Sequence, residues 1–170
     1  MRPTTRLRPN PVMEEGTIMK RSVKTCLLGL GAGLVLTFAP VPARAASKNF
    51  IALLNGGQET PATTSDSFGV GFFTFDTKTN QLCYRISFMP LMGGRPDTAA
   101  HIHGPATPGV SASVLITFTE TGQAKNNCVT PDATTLKTFK KALLKGMTYA
   151  NIHSANFPGG EIRGQILPVK

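Results

Sequence analysis

From Phe50 onward, apolar and polar residues alternate in short runs separated by glycine, proline and asparagine. A period of two places successive side chains on opposite faces, which is the signature of a strand with one buried side. The runs are "FIALLNG", "FGVGFFTFD", "LCYRISFM", "AAHIHG", "VLITFT", "TYANIHS" and "EIRGQILPV". In the second, Phe68, Val70 and Phe72 fall on one side, with Phe73 and Phe75 on the other. The polar loop "DTKTNQ" joins the second and third runs into a hairpin, and "ANFPGG" joins the last two. About seven short strands with such turns predict an all-β antiparallel sandwich or barrel. One segment has a different period. In "PDATTLKTFKKALLKGM", Leu136, Phe139, Leu143 and Leu144 recur at helical spacing. Asp132, Thr134 or Thr135 is available as N-cap, and Gly146 as the stop. Too short to be stable alone, this amphipathic helix is expected to lie over the core with its lysines outward.

The first part of the chain does not share the pattern. Residues 19–45 have a basic opening (Lys20, Arg21, Lys24), an apolar run from Cys26 to Phe38, and Ala43-Arg44-Ala45 ahead of Ala46. That order predicts a secretory signal peptide cleaved after Ala45. The apolar run is shorter than the roughly 20 residues of a membrane span, and no second such run follows, so no span is expected once the leader is removed. Residues 1–18 are polar and aperiodic, which makes Met19 the expected start and 46–170 the folded domain. The leader also inflates the charge. Of the net +9 of the 170-residue chain, residues 46–170 carry only +4, from eleven Lys/Arg against seven Asp/Glu. Four of these lysines, Lys137, Lys140, Lys141 and Lys145, cluster on the predicted helix. No basic stripe is interleaved with aromatics, so nucleic acid is not an expected partner. Removing the leader also removes Cys26 and leaves Cys83 and Cys128 as an even pair in an exported chain, from which one disulfide is expected.

The candidate chemistry lies in an internal echo. "AHIHG" at residues 100–104 returns as "ANIHS" at 150–154, with Asn151 where the first copy has His101. The three histidines of the chain all fall in these two motifs. If Ile102 and Ile152 face the core, then His101 and His103 share the opposite face of one strand, and His153 shares its own strand's opposite face with Asn151. Two adjacent strands would then bring His101, His103 and His153 together as ligands for copper or zinc. Asn151, a weaker donor, is placed beside them to hydrogen-bond a ligand ring or a bound water.

The stretches "GGQETPATTSDSFGVGFFTFD", "LCYRISF", "AAHIHGPA" and "YANIHSANFPGGEIRGQI" resemble the CHRD domain, the repeat first described in chordin and also found in bacterial exported proteins. The resemblance extends over nearly all of residues 46–170. It implies an immunoglobulin-like β-sandwich with distant similarity to copper-zinc superoxide dismutase. In the dismutase, an His-x-His pair and a later histidine ahead of a Gly-x-Arg-type strand hold copper. "HIH", "NIH" and "GEIRGQI" are similar in order, which carries over to His101, His103 and His153. The chain departs from that pattern in lacking a bridging fourth histidine and the histidine and aspartate cluster that holds zinc. Arg163 stands where a guiding arginine would be sought. Lying two residues from Glu161, it is expected in a surface ion pair.

Other catalytic chemistry finds little support. The acids Glu59, Asp66, Asp76, Asp97, Glu120 and Asp132 fall singly in turns or at strand ends, so no carboxylate pair is available for acid and base roles. Ser154 follows His153 directly, on the opposite face of a strand, and is not placed for nucleophilic attack. The expected function is that of an exported, non-enzymatic binding or envelope module with a three-histidine copper or zinc site. Its partner, extracellular or in the envelope, is not named by any motif. The alternative is a copper-dependent enzyme related to superoxide dismutase.

Overall fold

A computed structural model describes residues 47–170; the segments read as an upstream extension and leader, and the cleavage point after Ala45, lie outside the described residues. The seven expected strands form as β1 (Ser47–Asn55), β2 (Phe68–Asp76), β3 (Gln81–Phe88), β4 (Asp97–His103), β5 (Val114–Thr117), β7 (Thr148–Ser154) and β8 (Ile162–Pro168). An eighth, β6 (Ala124–Val129), runs through "AKNNCV". Its polar composition hides it in the sequence: the inward position that should be apolar is Lys125, whose ammonium is met by Asp97 and by the carbonyls of Glu120 and Gly122. The helix α1 spans Ala133–Leu144. Asp132 caps it, accepting from the backbone N–H of Thr134 and Thr135. Ala142 is buried where Leu144 was expected to be, and Leu144 is exposed.

All strand pairs are antiparallel, in the order β5-β4-β7-β8-β1-β2-β3-β6. The sheet curls until its two halves face each other. Two contacts between strands far apart in that order show the closure: Lys125 of β6 reaches Asp97 of β4, and Tyr84 of β3 packs on Phe118, just after β5, with ring centroids 4.4 Å apart. Inward residues from every strand except β6 are buried in one apolar core, against which Val129 at the end of β6 packs, and Phe139 and Leu143 of α1 complete it. Burying each such aromatic or leucine side chain is worth about 1.5–3 kcal/mol. Between β8 and β1, a Cβ at Gly164 would collide with the Leu53 backbone, so the strands come this close only because the side chain is missing. Cys83 and Cys128 are register partners on β3 and β6 and are joined by a disulfide, as expected. Among the described residues no helix is long and apolar enough to cross a membrane.

The two outer faces of the sheet differ. On β2, Phe72 is 54% exposed, as alternation requires of a position facing away from the core. On β7, every residue is buried, including outward-facing Tyr149, Asn151 and His153. The loops at residues 56–67, 104–113 and 155–161 fold over this part of the sheet; backbone carbonyls of the last two bond to its side chains, and the first reaches it through Glu59.

Candidate metal centre

Under those loops, β4 and β7 are direct neighbours. His101 stands opposite Asn151, His103 opposite Tyr149, and Ala99 opposite His153. Ile102 and Ile152 point into the core with no exposed surface, so the period of two carries all three histidines to the outer face. His103 and His153 are each 9% exposed and flank the central pair of His101 and Asn151. One ligand atom from each of His101, His103 and His153 lies within 4.8 Å of the other two.

The backbone fixes which nitrogens carry hydrogen. His103 Nδ1 is 2.9 Å from the carbonyl oxygen of Ala112, and His153 Nδ1 is 2.9 Å from that of Pro158. A carbonyl only accepts, so both Nδ1 atoms donate and both Nε2 atoms keep their lone pairs. Both Nε2 atoms turn inward, each 3.1 Å from Asn151 Oδ1, and His153 Nε2 is also 3.0 Å from His101 Nδ1. An imidazole held at Nδ1 by a carbonyl and open at Nε2 is the usual posture of a metal ligand. Burial, reinforced by its histidine neighbours, holds His101 below its ordinary value. Burial does the same to His103, outweighing the hydrogen bonds that favour its proton. Near neutral pH these two rings are therefore uncharged.

A second layer supports the first. The Tyr149 ring stacks on His103, centroids 4.9 Å apart and planes 3° from parallel, and the Arg163 guanidinium lies 3.4 Å from the centre of the same ring. Arg163 Nη2 donates to the Val110 carbonyl at 2.7 Å, tying down the loop that carries Ala112. The expected surface pair of Arg163 with Glu161 is not formed. Both are buried, and Glu161 accepts instead from Ser65, Ser154 and the backbone N–H of Met92. The two-residue spacing from Glu161 gave no sign that loops cover Arg163. The Ser154 hydroxyl, spent on Glu161, is not free as a nucleophile.

Sequence reasoning missed Glu59 and Tyr149. Glu59 reaches the site from the loop after β1, its carboxylate accepting from the Asn151 side chain, and burial pushes it up to about 7 against the pull of Arg163. Tyr149 was within reach of the alternation, since it shares a face with Asn151 and His153 in "TYANIHS". No periodicity could have found Glu59.

Sheet and site together define an all-β antiparallel domain with a histidine triad set beneath loops on its outer face. The family model of the CHRD domain matches residues 50–166, and the chain belongs to that family. No curated protein and no solved structure matches the chain. The similarity to copper-zinc superoxide dismutase expected from the histidine motifs is not shown by these comparisons.

Proposed function

We propose that this protein is an exported metal-binding module in which His101, His103 and His153 hold one copper or zinc ion. The observation that carries the reading is the convergence of three imidazoles, two of them anchored at Nδ1 by backbone carbonyls, on one loop-covered point. Nitrogen donors of this kind suit zinc and copper and are poor partners for calcium or magnesium. Export is supported by the leader at residues 19–45 and by the disulfide, since such bonds persist in oxidising compartments. Membership of the CHRD family supports a binding role, toward an extracellular or envelope partner.

The partial exposure of His101 favours one other reading, a copper-dependent enzyme, because a reactant can approach the ion from that side. Isothermal titration of tag-free protein with Cu(II) and Zn(II) tests the main proposal. It predicts one ion per chain, with His103→Ala and His153→Ala each weakening binding by more than about 100-fold, beyond the 10- to 100-fold that loss of an outer hydrogen-bond partner costs. Exchanging exposed Lys137 for alanine should change nothing. Equal binding by wild type and both histidine variants would contradict it. A dismutase assay on the copper-loaded protein separates module from enzyme.

A further inference from the structure

We propose that the side-chain oxygen of Asn151 is the fourth protein ligand of this centre, and that Glu59 is the positioning residue that turns it toward the metal. This rests on the three-histidine reading and replaces its open fourth position with a protein donor.

The first argument is geometric. In a four-coordinate site with metal–ligand bonds of about 2.0–2.1 Å, donor atoms stand roughly 3.3 Å apart. Asn151 Oδ1 lies 3.1 Å from His103 Nε2 and 3.1 Å from His153 Nε2, and His153 Nε2 lies 3.0 Å from His101 Nδ1. Three of the six edges of an N3O tetrahedron are thus close to the required length before any ion is added.

The second argument concerns hydrogens. With Nδ1–H of His103 and of His153 committed to carbonyls, the neutral rings have no Nε2 proton to offer Asn151 Oδ1. His101 can donate from Nδ1 to His153 Nε2. Nothing comparable serves His103 Nε2, which in the neutral ring meets Asn151 Oδ1 lone pair to lone pair. Two acceptors at such a separation repel unless a cation lies between them.

The amide is held in this orientation from behind. Its N–H donates to Glu59, and turned by 180° it would set its oxygen against that carboxylate whenever Glu59 is ionised. Gly160 makes the arrangement possible: at φ +129, a Cβ there would overlap the Glu59 carboxylate and approach Asn151 Nδ2 to 2.8 Å. Glu59 is itself buried, and its Oε1 lacks a hydrogen-bond partner. The centre so built is closed by four protein donors, which suits retention of an ion better than turnover at it.

Cobalt(II) is the probe, because four-coordinate Co(II) absorbs much more strongly in the visible than five- or six-coordinate Co(II). Tag-free, full-chain protein at pH 8 should bind one Co(II) with a strong four-coordinate spectrum. Asn151→Ala should weaken binding by at least about 10-fold and reduce the band intensity as water completes the shell, the intensity being the readout that loss of an outer hydrogen-bond partner alone would leave unchanged. Glu59→Ala should move both readouts in the same direction, and Glu59→Gln, which keeps an acceptor for the amide, should restore them. Circular dichroism of the metal-free proteins shows whether each variant is folded. Wild-type affinity and spectrum in Asn151→Ala, with binding lost in His103→Ala, would overturn the fourth ligand and leave the three-histidine site standing. A wild-type spectrum in Glu59→Ala would overturn the positioning role, and it serves as the deciding variant should Asn151→Ala not fold. Absence of Co(II) binding by the wild type would overturn both readings.

Discussion

A histidine binds a metal only through a nitrogen that holds a lone pair, and here the carbonyls of Ala112 and Pro158 select Nε2 on two of the three rings. Protons compete for those same lone pairs. Burial places His101 and His103 below the ordinary value near 6.5, so protonation lags behind that of a free imidazole as pH falls. Zinc uptake is therefore predicted to persist through pH 6.5 and to fail at lower pH, as measured by titration at a series of pH values. A midpoint at or above 6.5 would contradict the buried, neutral state of the rings. At this scale the sequence was informative where residues share a strand. The motifs "HIH" and "NIH" need only the period of two to put their histidines on one face. Glu59 was illegible because it meets Asn151 through a loop crossing, some ninety positions away, that no local pattern encodes. Arg163 was misread for a related reason. Alternation reports which face a residue takes, and it is silent on what then covers that face.

Strands whose inward positions are apolar could be read directly, as Phe73 and Phe75 of β2 show. The strand β6 could not, since its inward residue is a lysine whose burial depends on Asp97 arriving from β4. The helix was legible because its caps are local. Its N-cap also allows a test at the level of the element. Hydrogen bonds from Thr134 and Thr135 hold the Asp132 carboxyl well below the ordinary carboxylate range. A carboxyl depressed in the folded state contributes stability above its unfolded value, here near 3.8, and loses it as pH falls further. Asp132→Ala is thus predicted to lower the melting temperature at pH 7, the gap from wild type narrowing only below about pH 4. Thermal melts by circular dichroism across that range check it. A gap that stayed constant into strong acid would show that the ionised cap is not its source.

At the scale of the whole molecule, the sheet must both curl over its core and keep the outer face of β4, β7 and β8 under cover. Alternation predicted the inner faces and, with them, an antiparallel all-β fold. It left sandwich and barrel both open, because how far a single eight-stranded sheet curls depends on pairs such as Lys125 with Asp97 and Tyr84 with Phe118. The bridge from Cys83 to Cys128 fastens the edge strand β6 to β3 across a sequence separation of 45. Loop-closure entropy for that length is about 4 kcal/mol, so Cys83→Ser with Cys128→Ser should lower unfolding stability in urea by up to that amount. An unchanged midpoint would mean that the unfolded chain gains nothing from the tie. The central claim, that this fold exists in part to hold an ion at the outer face of β4 and β7, is tested most directly by anomalous diffraction at the zinc edge from crystals of tag-free protein grown with zinc. The account predicts one strong peak per chain, about 2.0–2.1 Å from nitrogens of His101, His103 and His153; a map with no peak there, or with zinc only at surface carboxylates, would contradict it.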